Sequence, residues 1–297
     1  MDWLIFAFLS PVLWAGVNVI DKFLLSKKFK DPYSYLLLII LMDPIALILF
    51  SIFFPISFSY PGFMIGIILG FLHAISIILY NKAMLMEEAS IVISLSYLNV
   101  LFTLPLAYIF LKEVLILWKY FGIIFLFIGA FLISYKKIKS KWVFSPAIKI
   151  ILIAAFIWTC MSILEKYSLN FIDSFSLFFW LRIGLIIGGS TILINPKIRN
   201  DFLNTIKRID RNVVLLSILG LLLAYLSFNL FFLAISTGYI SLVVGITSIQ
   251  PFMVFLYTTG LSFFLPQIMK ERIDRLTVLL KLMAIFFIFI GSWLVVT

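Results

Sequence analysis

The chain has 297 residues, of which 64% are hydrophobic and 12% are charged, and its formal net charge is +10. Soluble globular domains carry roughly 25% charged residues, so this composition excludes a water-soluble fold and indicates an integral membrane protein. The positive charge follows the connections between apolar runs, which argues against a nucleic-acid-binding surface, and the single cysteine excludes an intramolecular disulfide.

The apolar runs divide into ten segments of about 20 residues, the length that crosses a bilayer core about 30 Å thick. We therefore predict an all-α integral membrane protein with ten transmembrane helices, called spans 1 to 10. In chain order the spans cover residues 4–25, 33–54, 63–84, 90–111, 115–135, 147–167, 175–194, 213–235, 240–264 and 276–296. The start of the chain lacks a basic leader, so span 1 is expected to be a retained helix.

The basic residues of the connections lie mostly on one predicted face of the membrane. That face holds the connections after spans 1, 5, 7 and 9, with Lys27, Lys28, Lys30, Lys136, Lys137, Lys139, Lys141, Lys207, Arg208 and Arg211. The opposite face carries Lys112, Lys119 and Lys166. The positive-inside rule then places the basic connections in the cytoplasm and both termini outside, in a cell inner (plasma) membrane.

The two halves of the chain repeat one polar pattern. The segment Trp14-x6-Asp21-Lys22 recurs as Trp158-x6-Glu165-Lys166 at an offset of 144 residues, with Asn18 and Ser162 at the same place between them. Later matches pair Asp31 and Ser34 with Asp173 and Ser176, Ala83 with Ala234, and Asn99 with Gln250. Two copies of a five-helix unit lie upside down to each other, so we predict inverted repeats at residues 1–144 and 145–297, packed as one domain. Secondary transporters have this architecture.

The repeated acid–lysine pairs are candidate gating or proton-coupling residues. Trp14, Asn18 and Asp21 share one helical face. In an inverted repeat, Asp21-Lys22 and Glu165-Lys166 lie near opposite membrane faces, so each pair would guard one mouth of a pathway. The alternative is that both pairs anchor the helices, with the lysines reaching the headgroups.

Two charges fall in the middle of predicted spans, Asp43 in span 2 and Arg182 in span 7. A charge at the bilayer centre costs about 2.5–3.5 kcal/mol on insertion scales and usually marks function. Arg182 would bind a substrate carboxylate and Asp43 an ammonium group, which describes a zwitterion site; alternatively, the two residues neutralise each other. Pro44 is expected to break span 2 beside the cavity.

Other polar or aromatic residues fall deep in the predicted spans. His73, Tyr97 and Tyr225 are cavity candidates, and Asn99 and Gln250 occupy one repeat position, where bonding between helices competes with substrate contact. An aromatic cage for a quaternary ammonium group would draw on Trp14, Trp158, Tyr97 or Trp180. Glu113 is expected to stabilise a helix end, and the acidic turns at residues 87–88 and 112–113 are expected to be solvated.

The sequence resembles the drug/metabolite transporter (DMT) superfamily, in its ten-helix EamA-like family, over nearly the whole chain. The resemblance rests on Trp14-Ala15-Gly16-x-Asn18, on Tyr80-Asn81-Lys82-Ala83-Met84, and on Phe110-Leu111-Lys112-Glu113 before Phe127-Ile128-Gly129-Ala130. It implies alternating access around a cavity lined by spans 1–4 and 6–9, with spans 5 and 10 peripheral. Family members usually keep both termini in the cytoplasm, against the charge bias here, and their basic residue in the second helix of each repeat appears only as Arg182.

An intramembrane enzyme is the alternative from a different class. The sequence has no HExxH pair and no Walker A motif, so we predict neither an enzyme nor an ATP-driven pump. A flippase for a lipid-linked molecule stays open. The predicted function is secondary transport of a small polar metabolite, with an amino-acid-like substrate preferred, coupled to protons or to exchange. No cofactor or metal is implied, and the chain is expected to work among membrane lipids as a monomer or homodimer.

Overall fold

The computed structural model describes residues 2–29, 31–87, 89–134, 136–138, 141–143, 147–264 and 275–296. The regular secondary structure in these ranges is helical apart from one hairpin, in which β1 (Lys136–Ile138) pairs antiparallel with β2 (Lys141–Val143). The helices are α1 (Asp2–Leu24), α2 (Ser34–Phe53), α3 (Gly62–Met86), α4 (Ala89–Ser96), α5 (Asn99–Leu111), α6 (Leu117–Ser134), α7 (Ile148–Ser168), α8 (Ser174–Ser190), α9 (Pro196–Ile206), α10 (Arg211–Thr237), α11 (Ile240–Thr247), α12 (Gln250–Phe264) and α13 (Arg275–Val296). A π-helical turn, Leu25–Phe29, extends α1, and a 3-10 turn, Thr191–Ile194, extends α8.

The protein is a multi-pass membrane protein. Among the described residues, eight stretches are helical, long enough and apolar enough to cross a membrane, and they coincide with predicted spans 1–4 and 6–9. Spans 5 and 10 coincide with α6 and α13, which contribute shorter apolar stretches within the described residues. The count of ten transmembrane helices stays a prediction. Lys30, Lys139, Glu88 and the connection 265–274 lie outside the described residues.

Two spans that were predicted as continuous helices are broken in the middle. Span 4 consists of α4 and α5, separated at Tyr97-Leu98, and span 9 consists of α11 and α12, separated at Ser248-Ile249. Pro251 lies in the first turn of α12, where a missing backbone N–H is tolerated. The break expected at Pro44 was wrong, because α2 runs through that residue without interruption.

The polar segment between spans 7 and 8 forms a short amphipathic helix, α9, which the sequence analysis treated as a connection. Asn195 caps its first turn by accepting a hydrogen bond from the Lys197 N–H at 3.0 Å. Phe202 is the buried residue of α9, and most of the remaining helix is exposed. A helix of this kind lies along a membrane surface rather than across it.

Glycines bring α3 and α8 into backbone contact. A Cβ atom added to Gly70 would lie 2.2 Å from the carbonyl oxygen of Leu181, and one added to Gly184 would lie 2.2 Å from that of Ile67. Gly66 and Gly188 flank this contact at four-residue spacing, the small-residue pattern that lets membrane helices approach closely. The seam fixes α8, and with it Arg182, against α3.

The ends of α1 and α7 lie at opposite ends of α3. At one end of α3, its last carbonyls accept hydrogen bonds from Lys22 of α1. At the other end, the Gly62 carbonyl accepts a hydrogen bond from Ser168 of α7 at 3.4 Å. Since α3 has 25 residues and is about 37 Å long, the two contacts are separated by roughly a bilayer thickness. Asp21 and Glu165 therefore lie near opposite ends of the helix bundle.

Candidate functional site

A cavity of about 220 Å³ lies inside the bundle. Its described lining comes from α1–α5, α7, α8 and α10–α12, while α6 and α13 contribute none of it and pack against each other. The polar part of the lining is Asn18, Asp21, Tyr35, His73, Tyr80, Asn81, Ser96, Tyr97, Asn99, Ser162, Glu165, Arg182, Thr247 and Gln250. The aromatic part also includes Trp14, Trp158, Phe228 and Phe231.

A chain of side-chain hydrogen bonds runs along one wall of this cavity and joins four spans. Tyr97 donates to the Gln250 amide oxygen at 2.6 Å, and the Gln250 amide nitrogen donates to Asn18 at 2.5 Å. Asn18 donates to the Tyr80 hydroxyl at 2.8 Å, and Tyr80 donates to Asp21 at 3.3 Å. Asn18 and Gln250, which the sequence placed in separate repeats, are thus in direct contact.

Asp21 ends this hydrogen-bond chain. Besides Tyr80, the Tyr35 hydroxyl donates to the Asp21 carboxylate at 2.6 Å. The carboxylate is buried, and hydroxyl donors offset the cost of removing it from water. Tyr35 and Tyr80 were missed as site residues by the sequence analysis, although Tyr80 lies within a segment that carried the family resemblance.

Glu165 occupies the repeat position of Asp21 but has different surroundings. Its side chain lines the cavity and is only 3% exposed. Among the described residues, no side chain or backbone group donates a hydrogen bond to it. The two acidic residues of the repeat therefore differ in solvation, one held by hydroxyls and the other facing the cavity without a donor.

The two lysines beside these acids bind helix ends. Lys22 donates to the carbonyl oxygens of Met84 and Glu87 at the end of α3, each at 2.5 Å. Lys166 donates to those of Ile235 at 2.5 Å and Gly238 at 2.9 Å, at the end of α10. The acceptors differ by the same offset of 151 residues that relates Ala83 to Ala234. Each lysine satisfies carbonyls that a helix leaves unpaired at its C-terminus.

Asp43 and Arg182 form a buried ion pair. The Arg182 guanidinium donates a hydrogen bond to the Asp43 carboxylate, and the two side chains are 4% and 0% exposed. Tyr225 donates to the same carboxylate oxygen at 3.1 Å, and its ring lies 5.0 Å from the guanidinium carbon. Arg182 lines the cavity, whereas Asp43 and Tyr225 lie behind it. Pairing was the alternative to the zwitterion site in the sequence analysis, and it is the arrangement seen here.

Ten of the fourteen site residues predicted from the sequence line the cavity: Trp14, Asn18, Asp21, His73, Tyr97, Asn99, Trp158, Glu165, Arg182 and Gln250. His73 packs edge-on against Phe228, with ring centroids 5.2 Å apart. His73 Nδ1 and Asn99 Oδ1 have no hydrogen-bond partner among the described residues. Trp180, proposed for an aromatic cage, lies outside the cavity and donates to the Ser57 carbonyl at 3.0 Å.

Glu113 stabilises a helix end, as expected. Its carboxylate accepts hydrogen bonds from the backbone N–H groups of Ile240 at 2.8 Å and Ser241 at 3.1 Å, at the start of α11. The expectation of solvated acidic turns was wrong for the described residues, because Glu113 and Glu87 are 5% and 6% exposed. A buried carboxylate fits this position because the first N–H groups of a helix favour an anion.

Helices of membrane-spanning length around a cavity that contains buried polar side chains are typical of membrane carriers. The family comparison agrees with this class. Residues 1–135 match the model of the EamA-like transporter family, which belongs to the DMT superfamily. The resemblance inferred from the sequence is thereby confirmed over this part of the chain.

The similarity in fold extends over the whole chain. Twenty-two chains of solved structures match it. One, described only as "Crystal structure of protein", has a TM-score of 0.68 and 12% sequence identity, and the match covers 99% of this chain and 95% of that chain. At this identity the likeness shows the fold alone. No curated protein matches the chain at a significant level.

Proposed function

We propose that this protein is a secondary transporter that carries a small polar metabolite through its central cavity by alternating access, coupled to protons or to exchange. The observation that carries this proposal is the cavity, which has polar side chains from both halves of the chain in its lining and is lined by all the predicted cavity-lining spans. Pockets for drug-sized ligands measure roughly 300–1,000 Å³, so a cavity of about 220 Å³ favours a small solute over a lipid-linked molecule.

Alternating access is supported by features that recur between residues 1–144 and 145–297. The helix breaks before Asn99 and Gln250, and the lysine contacts of Lys22 and Lys166, recur at repeat-related positions. Broken helices beside a cavity and inverted repeats are common to secondary transporters. We therefore propose that the two halves are inverted repeats that rock against each other.

Asp21 and Glu165 are proposed as the coupling or gating residues of the two ends. Both carboxyls line the cavity, and they lie near opposite ends of the bundle. Asp21→Asn and Glu165→Gln should each reduce transport and change its pH dependence. If transport and its pH profile both stay at wild-type values in the double variant, neither carboxyl has this role.

The preferred substrate class depends on the Asp43–Arg182 pair. An amino-acid-like substrate was favoured because Arg182 would hold its carboxylate, but Asp43 already neutralises that guanidinium. A substrate carboxylate would have to displace Asp43 and leave a buried carboxylate without its partner, which is costly. We therefore retain a small polar metabolite as the proposed substrate and drop the requirement for a carboxylate.

Metabolite exchange in proteoliposomes tests the proposal. Metabolites that change in abundance between cells with and without the protein would be loaded inside vesicles, and uptake of the labelled compound would be measured. Saturable uptake that internal substrate accelerates is the expected result. Uptake that neither saturates nor responds to internal substrate contradicts a carrier. A reporter fused to the C-terminus tests the proposed cytoplasmic location of the basic connections in the plasma membrane.

A further inference from the structure

Glu165 is an acidic side chain that the folded chain leaves without a partner. It is 3% exposed, lines the central cavity, and accepts no hydrogen bond from the described residues. A buried carboxylate without a donor or cation is strongly disfavoured. The carboxyl is therefore suited to a partner that arrives from outside the chain.

The repeat explains why Glu165 lacks the donors of Asp21. Asp21 accepts hydrogen bonds from the hydroxyls of Tyr35 and Tyr80. At the offsets that relate Ser34 to Ser176 and Ala83 to Ala234, these two positions correspond to Leu177 and Phe231. Leu177 is fully buried and Phe231 lines the cavity, but neither side chain has a hydroxyl to donate. The second copy thus keeps the acid and replaces its donors with apolar groups.

Among the described residues, the charged side chains that line the cavity and have no ion-pair partner within the protein are acidic. Arg182 is the sole arginine or lysine among the described lining residues, and Asp43 binds it. Lys166, next to Glu165 in sequence, directs its amine to the carbonyls at the end of α10. Asp21 already accepts hydrogen bonds from two tyrosine hydroxyls. Glu165 is the acidic group that remains for a ligand.

The aromatic residues of the cavity also suit an organic cation. Trp14, Trp158, Tyr97 and Phe228 are spread through the cavity lining, and aromatic faces attract ammonium groups when water is excluded. Trp14 and Phe228 form one continuous wall, with ring centroids 4.4 Å apart. No unpaired basic side chain of the described lining offers a site to an anion.

We infer that the substrate of this transporter is a small organic cation, an amine or a quaternary ammonium compound, with Glu165 as its charge partner and the aromatic walls as its enclosure. The inference rests on the proposed transport function and names the substrate class of that same cavity. The inference places the positive charge of the ligand beside Glu165, the acid of the second half of the chain, which accepts no hydrogen bond from a hydroxyl group of the described residues.

The test compares three probes that share a phenyl ring: phenethylammonium, phenylacetate and phenylalanine, which are a cation, an anion and a zwitterion. Binding to the full-length protein in nanodiscs would be followed by calorimetry. Phenethylammonium should bind at least about tenfold more tightly than phenylacetate, and Glu165→Gln should remove about tenfold or more of its affinity. Glu113→Gln, which alters a buried carboxyl outside the cavity, should leave the affinity unchanged.

Phe231→Tyr supplies a matched second variant. It restores the hydroxyl that Tyr80 provides in the first copy, and this hydroxyl should donate to Glu165 and compete with the cation. The affinity for phenethylammonium should fall to a value between those of the wild type and Glu165→Gln. A variant that fails to fold would be recognised by its thermal unfolding, and the other variant would still decide the question.

Three results would overturn the inference: equal affinity of wild type and Glu165→Gln for the cation, tighter binding of phenylacetate or phenylalanine, or no binding of phenethylammonium up to about 10 mM. Saturable exchange of an anionic or neutral metabolite that does not depend on Glu165 would refute the cation but leave the transporter intact. Loss of the proposed function itself would be seen as the absence of saturable exchange for every metabolite tested.

Discussion

Gly184→Ala is expected to destabilise the protein because the backbones of α3 and α8 leave no room for a methyl group. The added Cβ would lie 2.2 Å from the carbonyl oxygen of Ile67 and 2.8 Å from its Cα. An ordinary carbon–oxygen contact needs roughly 3.4 Å or more, so the helices would have to separate by about 1 Å at this point. Backbone atoms on both sides have no rotamer with which to relieve the contact.

A matched glycine gives the magnitude of this effect. Gly260 of α12 also lies in a helix, but a Cβ added there meets no atom within 4 Å. Both substitutions gain about 1 kcal/mol from the higher helix propensity of alanine. The difference in the free energy of unfolding between the two variants is therefore the cost of the steric clash at Gly184. Overpacking costs about 1–3 kcal/mol, and a clash between two backbones belongs at the upper end.

Thermal unfolding of the purified variants, followed by intrinsic tryptophan fluorescence, measures this difference. About 3 kcal/mol corresponds to a Tm of Gly184→Ala roughly 6–12 °C below that of Gly260→Ala. Gly260→Ala should unfold at or slightly above the wild-type temperature. If Gly184→Ala is as stable as Gly260→Ala, the close approach of α3 and α8 is not a feature of the folded protein.

Three further changes test individual contacts. Arg182→Gln leaves Asp43 buried without its cation and should destabilise the protein by about 3–5 kcal/mol. The double variant that also carries Asp43→Asn should regain most of the lost Tm. Equal Tm values for the single and the double variant would contradict the ion pair. Lys166→Met removes two hydrogen bonds from a charged donor and should cost about 1–3 kcal/mol, measured against Lys207→Met, which changes an exposed lysine, as control. Lys28 donates to Asp210 and lowers the pKa of that carboxyl, so the stability from this pair should be full above the ordinary aspartate pKa and should fade as the pH falls through the lowered value. Measuring the Tm difference between wild type and Asp210→Asn at several acidic pH values tests this pH dependence. A difference that grows as the pH falls would contradict it.

Hydrophobic length alone located the membrane helices, because bilayer thickness leaves few choices for a run of about 20 apolar residues. The same signal could not show the breaks in spans 4 and 9, since a broken helix inside a protein stays apolar throughout. Pro44 was expected to break α2, but the helix continues through it. A proline in the sequence indicates that one backbone hydrogen bond is lost, but it does not determine whether the helix bends or continues. Helix α9 was missed because a segment that lies along the membrane surface has the composition of a connection.

The sequence identified those residues of the site that are polar and lie within an apolar predicted span. Asp21, Asn18, Glu165 and Gln250 stood out for this reason and line the cavity. Their partners did not, because a tyrosine such as Tyr35 is common in membrane helices and its hydroxyl bond depends on the packing of another helix. Asp43 and Arg182 were found one at a time, and their mutual contact depends on how α2 and α8 pack.

The two copies of the repeat also differ in how closely their helices approach. In the seam between α3 and α8, Gly70 and Gly184 allow the backbones to touch. The repeat-related positions in α10 and α2 are Leu221 and Met42, and these two helices pack far less closely than α3 and α8 do. If transport exchanges the roles of the two seams, the second seam closes through side chains rather than through backbone contact. The two access states would then have unequal stability, and substrate binding would have to offset that difference in each transport cycle.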